Sequence, residues 1–213
     1  GTAALDIRYG LTLDETNLLN ARPTQGTFGI LSAAVLAPGD PARSVLYYRM
    51  AKTGRGRMPY FGSHVVDPQG LQLVYDWITQ LKPAATATPA SVSRQRADQR
   101  ALLASLHSQE ATAEQFSTAA QQLLAQTSGA LQLIHILQQG SLSGAKQQRI
   151  IELVDGVEAL EVRDLFERFL PEEKRLKRLG TVVDAAALLR LNGDPERGRQ
   201  LFAAARSVQC KSC

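Results

Sequence analysis

The chain has 213 residues and a mass of 23.1 kDa, room for one large domain or two small ones. Hydrophobic residues at 44% and charged residues at 21% exclude a collagen, a wholly disordered chain and a disulfide-dense scaffold. The net charge of +4 comes from 24 basic and 20 acidic residues that are mostly interleaved, so charge alone does not call for a nucleic-acid partner. No apolar run spans a bilayer, since the stretch from Ile30 to Ala37 is already broken by Ser32. The two cysteines are Cys210 and Cys213, the last residue, and the chain starts at Gly1 without a signal peptide. Both ends therefore read as cut, and the chain as a piece of a longer protein.

In chain order, residues 1–82 are loop-rich and hold Gly26, Gly29, Gly39, Gly54, Gly56, Gly62 and Gly70. A short helix is expected over Ser44–Ala51, with Met50 facing the core. Between Asp40 and Asp67 there is no acid, while Arg43, Arg49, Lys52, Arg55 and Arg57 supply positive charge beside Tyr47, Tyr48, Tyr60 and Phe61. A solvated basic face is the leading reading of that run. A nucleic-acid footprint and contact with anionic groups such as haem propionates or an acidic redox partner are its rivals.

Residues 83–92, with Pro83 and Pro89 among small residues, cannot sustain an apolar face and read as a linker. The chain beyond is predicted helical. Arg94–His107 aligns Leu102, Leu103 and Leu106, and Thr112–Ala125 aligns Phe116, Ala120, Leu123 and Leu124. Ala130–Gln138 is a short apolar helix stopped by Gly140, and Lys146–Val154 groups Ile150, Ile151 and Val154. Val162–Leu170 turns Leu165, Phe166 and Phe169 inward before Pro171 interrupts it. Two short helices close the series, Asp184–Leu191 and Pro195–Ala204, the second with Asp194 as N-cap and Pro195 in its first turn. The mixed-charge run from Arg163 to Arg178 is expected as a solvated face with Arg163–Glu167 and Asp164–Arg168 pairs.

Chemistry is concentrated at the tail, where Cys210-Lys-Ser-Cys213 permits three readings. A redox dithiol would sit beside a βαβ pattern, which this sequence lacks. Half a zinc site needs two more ligands, and His64, His107 and His135 show no second paired spacing. The start of Cys-x-x-Cys-His would attach c-type haem through two thioethers, its histidine being the residue after Cys213 and outside this chain. His107 and His135, on or beside apolar faces, read as core or boundary histidines, and Trp77 as a core anchor. There is no Gly-rich phosphate loop, no Gly-x-Ser-x-Gly elbow and no carboxylate pair in an apolar setting. Catalysis within these residues is not expected.

The helix carrying Gly198 and Phe202 shortly before Cys210-x-x-Cys213 resembles the opening of a class I cytochrome c, where such a glycine lets the final helix cross closely. Gly56-Arg-Met58-Pro59-Tyr-Phe-Gly62, followed by Asp67-Pro and Asp76-Trp77-Ile78, resembles a Met-Pro loop that gives the distal haem ligand and the helix after it. Together with Pro38–Met50, Arg163–Pro171 and Arg178–Asp184, these strings resemble the multidomain c-type cytochromes of planctomycetes and verrucomicrobia that carry a haem-binding C-terminal domain. The resemblance covers about residues 3–82 and 158–213.

It implies a mainly α chain with four parts. Residues 1–82 would be the distal-ligand half of a cytochrome c-like domain, 83–92 a linker, 93–190 a helical connector domain and 191–213 the start of a second class I cytochrome c-like domain. It further implies outer-sphere electron transfer through haem c, with Cys210 and Cys213 as thioether anchors and Met58 as distal iron ligand of an upstream haem. Neither Cys-x-x-Cys-His is complete here, so this piece alone would carry no haem. A redox partner protein or a fused dehydrogenase domain, and a periplasmic or exported location, follow from the same resemblance. The rival expectations are a haem-free helical interaction or scaffold module and an accessory segment of an exported dehydrogenase. Plain loop packing is the alternative for Met58.

Overall fold

The computed structural model describes residues 5–59, 65–83, 89–175, 186 and 189–204. The protein is mainly α. Its helices are α1 (Val45–Ala51), α2 (Pro68–Gln80), α3 (Ala90–His107), α4 (Ala113–Leu124), α5 (Thr127–Gln139), α6 (Gly144–Val154), α7 (Leu160–Phe166) and α8 (Pro195–Ala204). Residues up to Arg175 belong to one compact unit, and α8 belongs to a second.

The helix starts follow from local chemistry. Asp67 caps α2 by accepting from the Gln69 N–H at 3.0 Å, with Pro68 in the first turn. Thr112 and Gln115 form a reciprocal capping box on α4, at 3.2 and 2.9 Å. Ser143 caps α6, and Gly140 ends α5 in the left-handed region at φ 63°. Asp194 accepts from the Arg197 N–H at 3.0 Å at the start of α8, as its sequence predicts.

At the centre of the first unit is α5, buried over Thr127–Leu131 and Leu133–Leu137. It packs against α4, α7 and α1, while α4 also contacts α3 and α6. The buried face of α5 carries Leu131, Leu133, Ile134, Ile136 and Leu137 together with the polar Thr127, Ser128 and His135. The step from α4 into α5 depends on Gly129: a Cβ there would meet the Leu123 carbonyl oxygen at 2.4 Å. The loop-rich N-terminal segment lies over this core, inserting Ile30, Ala34, Leu36 and Ala37. It is fastened by isolated bridges Leu19–Leu36 and Ala34–Ser44.

Helix positions follow the sequence expectation closely, with four differences. First, α3 begins at Ala90, inside the segment read as a linker, because Val92 is fully buried and extends the inward face. Second, residues on the two sides of that segment share one hydrophobic core. Thr127 Oγ1 donates to Phe28 O at 2.7 Å and Tyr48 OH to Glu161 O at 3.0 Å, so residues 83–92 do not separate two packing units. Third, Trp77 is 39% exposed and is not a core anchor. The inward face of α2 is Leu71, Tyr75 and Ile78, and helical geometry puts Leu73 and Trp77 on the other side. Fourth, the Arg163–Arg168 part of the charged run is not solvated, since Glu167 is buried. Arg163 Nε does face Glu167 Oε1 at 3.8 Å. Asp164 instead pairs with Lys52, and Arg168 turns to Gln138 and the Phe169 ring.

The predicted helix Asp184–Leu191 and the Arg178–Asp184 string lie largely outside the described residues. Among the described residues there is no strand and no helix long and apolar enough to cross a membrane.

Candidate functional site

Met58 sits in a tight turn that returns onto α1. Gly54 and Gly56 adopt φ values of 72° and 78°, which a residue with a Cβ adopts only under strain. Arg49 on α1 clamps the turn: its Nε donates to Gly56 O at 2.6 Å, and its carbonyl accepts from the Met58 N–H at 2.8 Å. The buried Arg57 guanidinium donates to the carbonyls of Pro59, at 3.3 Å, and Val65. Met58 itself is half-buried. Tyr60, Phe61 and His64 lie outside the described residues.

The basic run that contains this turn is largely withdrawn from water, Arg55 alone of its five cations being exposed. Lys52 is buried, its Nζ 2.9 Å from Asp164 Oδ2 and above the rings of Tyr48 and Phe28 at 5.4 and 5.8 Å. Those two rings stack at 4.7 Å. Thr53 N–H donates to Asp164 O at 3.0 Å, so two backbone and side-chain contacts tie the start of the turn to α7. Burial, helped by Asp164 and Glu161, pushes the Tyr48 hydroxyl far above its ordinary pKa. These cations are consumed by carbonyls, rings and one carboxylate because a guanidinium or ammonium removed from water must be paired.

A second polar group surrounds Tyr75. Its ring stacks on His135 with centroids 3.6 Å apart and planes 12° from parallel, and meets Tyr47 edge-on at 5.5 Å. His135 is 9% exposed, and its Nδ1 has no hydrogen-bond partner. Burial lowers its pKa below 6.5, opposed by the charge of Asp76. It is thus the buried histidine that its sequence setting suggests, although its ring partner could not be named beforehand. His107 is exposed, with Nδ1 2.9 Å from Leu103 O. Among the described residues no three His, Cys, Asp or Glu side chains converge as a metal site.

A cavity of about 210 Å³ opens between the 3₁₀ turn Pro41–Arg43, α2, α3 and α5. Asp40, 8% exposed, forms its floor and accepts from Arg96 Nε at 2.9 Å. Arg43 Nε faces the same carboxylate oxygen at 3.7 Å but makes no hydrogen bond. Gln132 donates to Gln99 Oε1 at 2.6 Å and Gln99 to Ser128 Oγ at 2.8 Å, fixing one wall. No sequence motif announces this site, because its residues come from four elements across the linker.

At the tail, Gly198 lies on exposed α8, where a Cβ would meet nothing within 4 Å. The side chain of Phe202 and residues Cys210 and Cys213 lie outside the described residues. Of the three haem candidates Met58, Cys210 and Cys213, only Met58 lies among the described residues. No protein family, no curated protein and no solved structure matches this chain.

Proposed function

We propose that this chain is part of an electron-transfer protein carrying covalently bound c-type haem. The observation that carries the reading is the tail: an Asp194-capped helix with Gly198 and Phe202 one turn apart, followed by the Cys210-x-x-Cys213 pair. Two thiols at that spacing suit the two thioether bonds of haem c. The donor chemistry of the upstream turn also fits: Met58 is a soft thioether, half-buried rather than sealed in the core, on a backbone held by Arg49. Haem, when bound, supplies a one-electron ferric/ferrous couple. Cys210 and Cys213 would anchor one haem, Met58 would offer its thioether sulfur to the iron of a separate, upstream haem, and the helical unit would space the redox sites. The redox partner would be another protein or a fused dehydrogenase domain, met outside the cytoplasm, where haem attachment takes place.

A pyridine haemochrome assay on the full-length protein, matured with a cytochrome c assembly system, tests this. A covalent c-type spectrum that loses one haem's share in Cys210→Ala/Cys213→Ala is the expected result, and absence of covalent haem, or a haem content unchanged in that variant, overturns the reading. Met58→Ala should remove the near-infrared methionine–iron band; an unchanged band sinks that assignment alone.

One observation favours a second reading for residues 5–175, that of a haem-free interaction or scaffold module. The inward faces of α1 and α2 are covered within the unit's own core, while Leu73 and Trp77 of α2 stay exposed on the other side.

A further inference from the structure

We propose that the cavity floored by Asp40 binds a small oxyanion, a carboxylate or a phosphate, between Arg43 and Arg100. This inference is independent of the haem reading and uses other residues.

The charge balance of the cavity sets the class of ligand. Three guanidinium groups line it, from Arg43, Arg96 and Arg100, against the single carboxylate of Asp40. Arg96 engages one oxygen of that carboxylate, Oδ2, with both Nε and Nη2, a charge-assisted contact. Arg43 Nε faces the same carboxylate at 3.7 Å, so three cations share one anion and the cavity carries net positive charge. The side chain of Arg43 is 15% exposed, and its Nε is buried without a hydrogen bond; a desolvated donor of this kind normally has a partner. Arg100 is exposed at the mouth and makes no hydrogen bond or ion pair among the described residues. A cation would meet net positive charge here.

The walls favour the same choice. Tyr75 lines the cavity with a hydroxyl that burial and the charges of Asp40 and Asp76 keep protonated, so it presents a donor. The Gln132–Gln99–Ser128 chain spends its amide donors within the wall, which makes that side rigid. The cavity of about 210 Å³ has room for inorganic phosphate or a short dicarboxylate.

The test is isothermal titration of the 213-residue chain with inorganic phosphate and, separately, with succinate, at fixed ionic strength and with chloride as control. The expected result is one saturable site for at least one oxyanion and none for chloride, the tighter probe identifying the chemical source. Arg100→Ala, at an exposed position that should not disturb folding, and Arg43→Gln should each weaken binding at least tenfold. Arg149→Ala on α6 should leave it unchanged. No saturable binding of either oxyanion, or wild-type affinity in Arg100→Ala with an unchanged circular dichroism spectrum, overturns the proposal. Since the assay involves no haem, its failure would leave the reading of Cys210 and Cys213 standing.

Discussion

The unit containing α1–α7 and the helix α8 use the same charged residues in opposite ways. In the first, Lys52 meets Asp164 at 2.9 Å with side chains 6% and 13% exposed. In α8, Arg199 meets Glu196 at 3.6 Å with side chains 77% and 71% exposed. Water screens the second pair, so it contributes little to stability. The first pair is withdrawn from water, where losing one partner strands the other. The apolar residues divide likewise: Phe166 is fully buried, whereas Leu201 is 47% exposed. The contrast teaches that packing order and chemical motif are separate properties in this chain. The strongest motif adjoins a helix whose described side chains are exposed, and the densest packing surrounds residues that no motif marks.

The largest expected effect sharpens this contrast directly. Phe166→Ala should destabilise the chain by about 3–5 kcal/mol, the usual cost of emptying a buried aromatic site. Leu201→Ala should stay within about 0.5 kcal/mol, as exposed substitutions do. Equal losses in denaturant unfolding would erase the distinction between the two regions.

Next comes the buried pair. Lys52→Ala should cost about 3 kcal/mol because Asp164 loses its cation inside the protein. The double variant Lys52→Met/Asp164→Leu should recover most of that loss, since an apolar pair of similar volume carries no desolvation penalty. Arg199→Ala on α8 should be nearly silent in the same assay. A double variant as unstable as the single one would show that hydrogen bonding, not charge, dominates the site.

The smallest effect is the pH response of His135. Its folded pKa is depressed by burial below 6.5, so the unfolded chain takes up a proton first as pH falls. The stability associated with neutral His135 is present above about pH 6.5 and declines below it, levelling off once the folded state also protonates. Melting temperatures from pH 7.5 to 5.5 should therefore fall, and less steeply in His135→Gln. A profile identical in the variant would remove His135 as the source.

The helical series was legible in the sequence because periodicity, caps and stops are local. Thr112 with Gln115, Asp194 with Pro195, and Gly140 after α5 each state a boundary within a few residues. The linker reading of 83–92 overran into α3 because composition cannot reveal that Val92 finds a buried site. Trp77 misled for a related reason: a large aromatic invites burial, but Leu71, Tyr75 and Ile78 already define the inward face of α2. The basic run misled because a sequence shows charge without showing the carbonyls of Pro59 and Val65 or the carboxylate of Asp164 that neutralise or satisfy it.

By itself, then, the sequence determined the helical class, most helix boundaries and the paired thiols of the tail, all written in neighbours a few positions apart. Tertiary structure decided what required distant residues to meet. It joined the segments on either side of residues 83–92 into one core, buried Lys52 against Asp164, stacked His135 on Tyr75 and brought Arg43 and Arg96 to Asp40 in a cavity that Arg100 also lines. Each of these depends on burial, and burial follows from how the helices pack together, which no local pattern records.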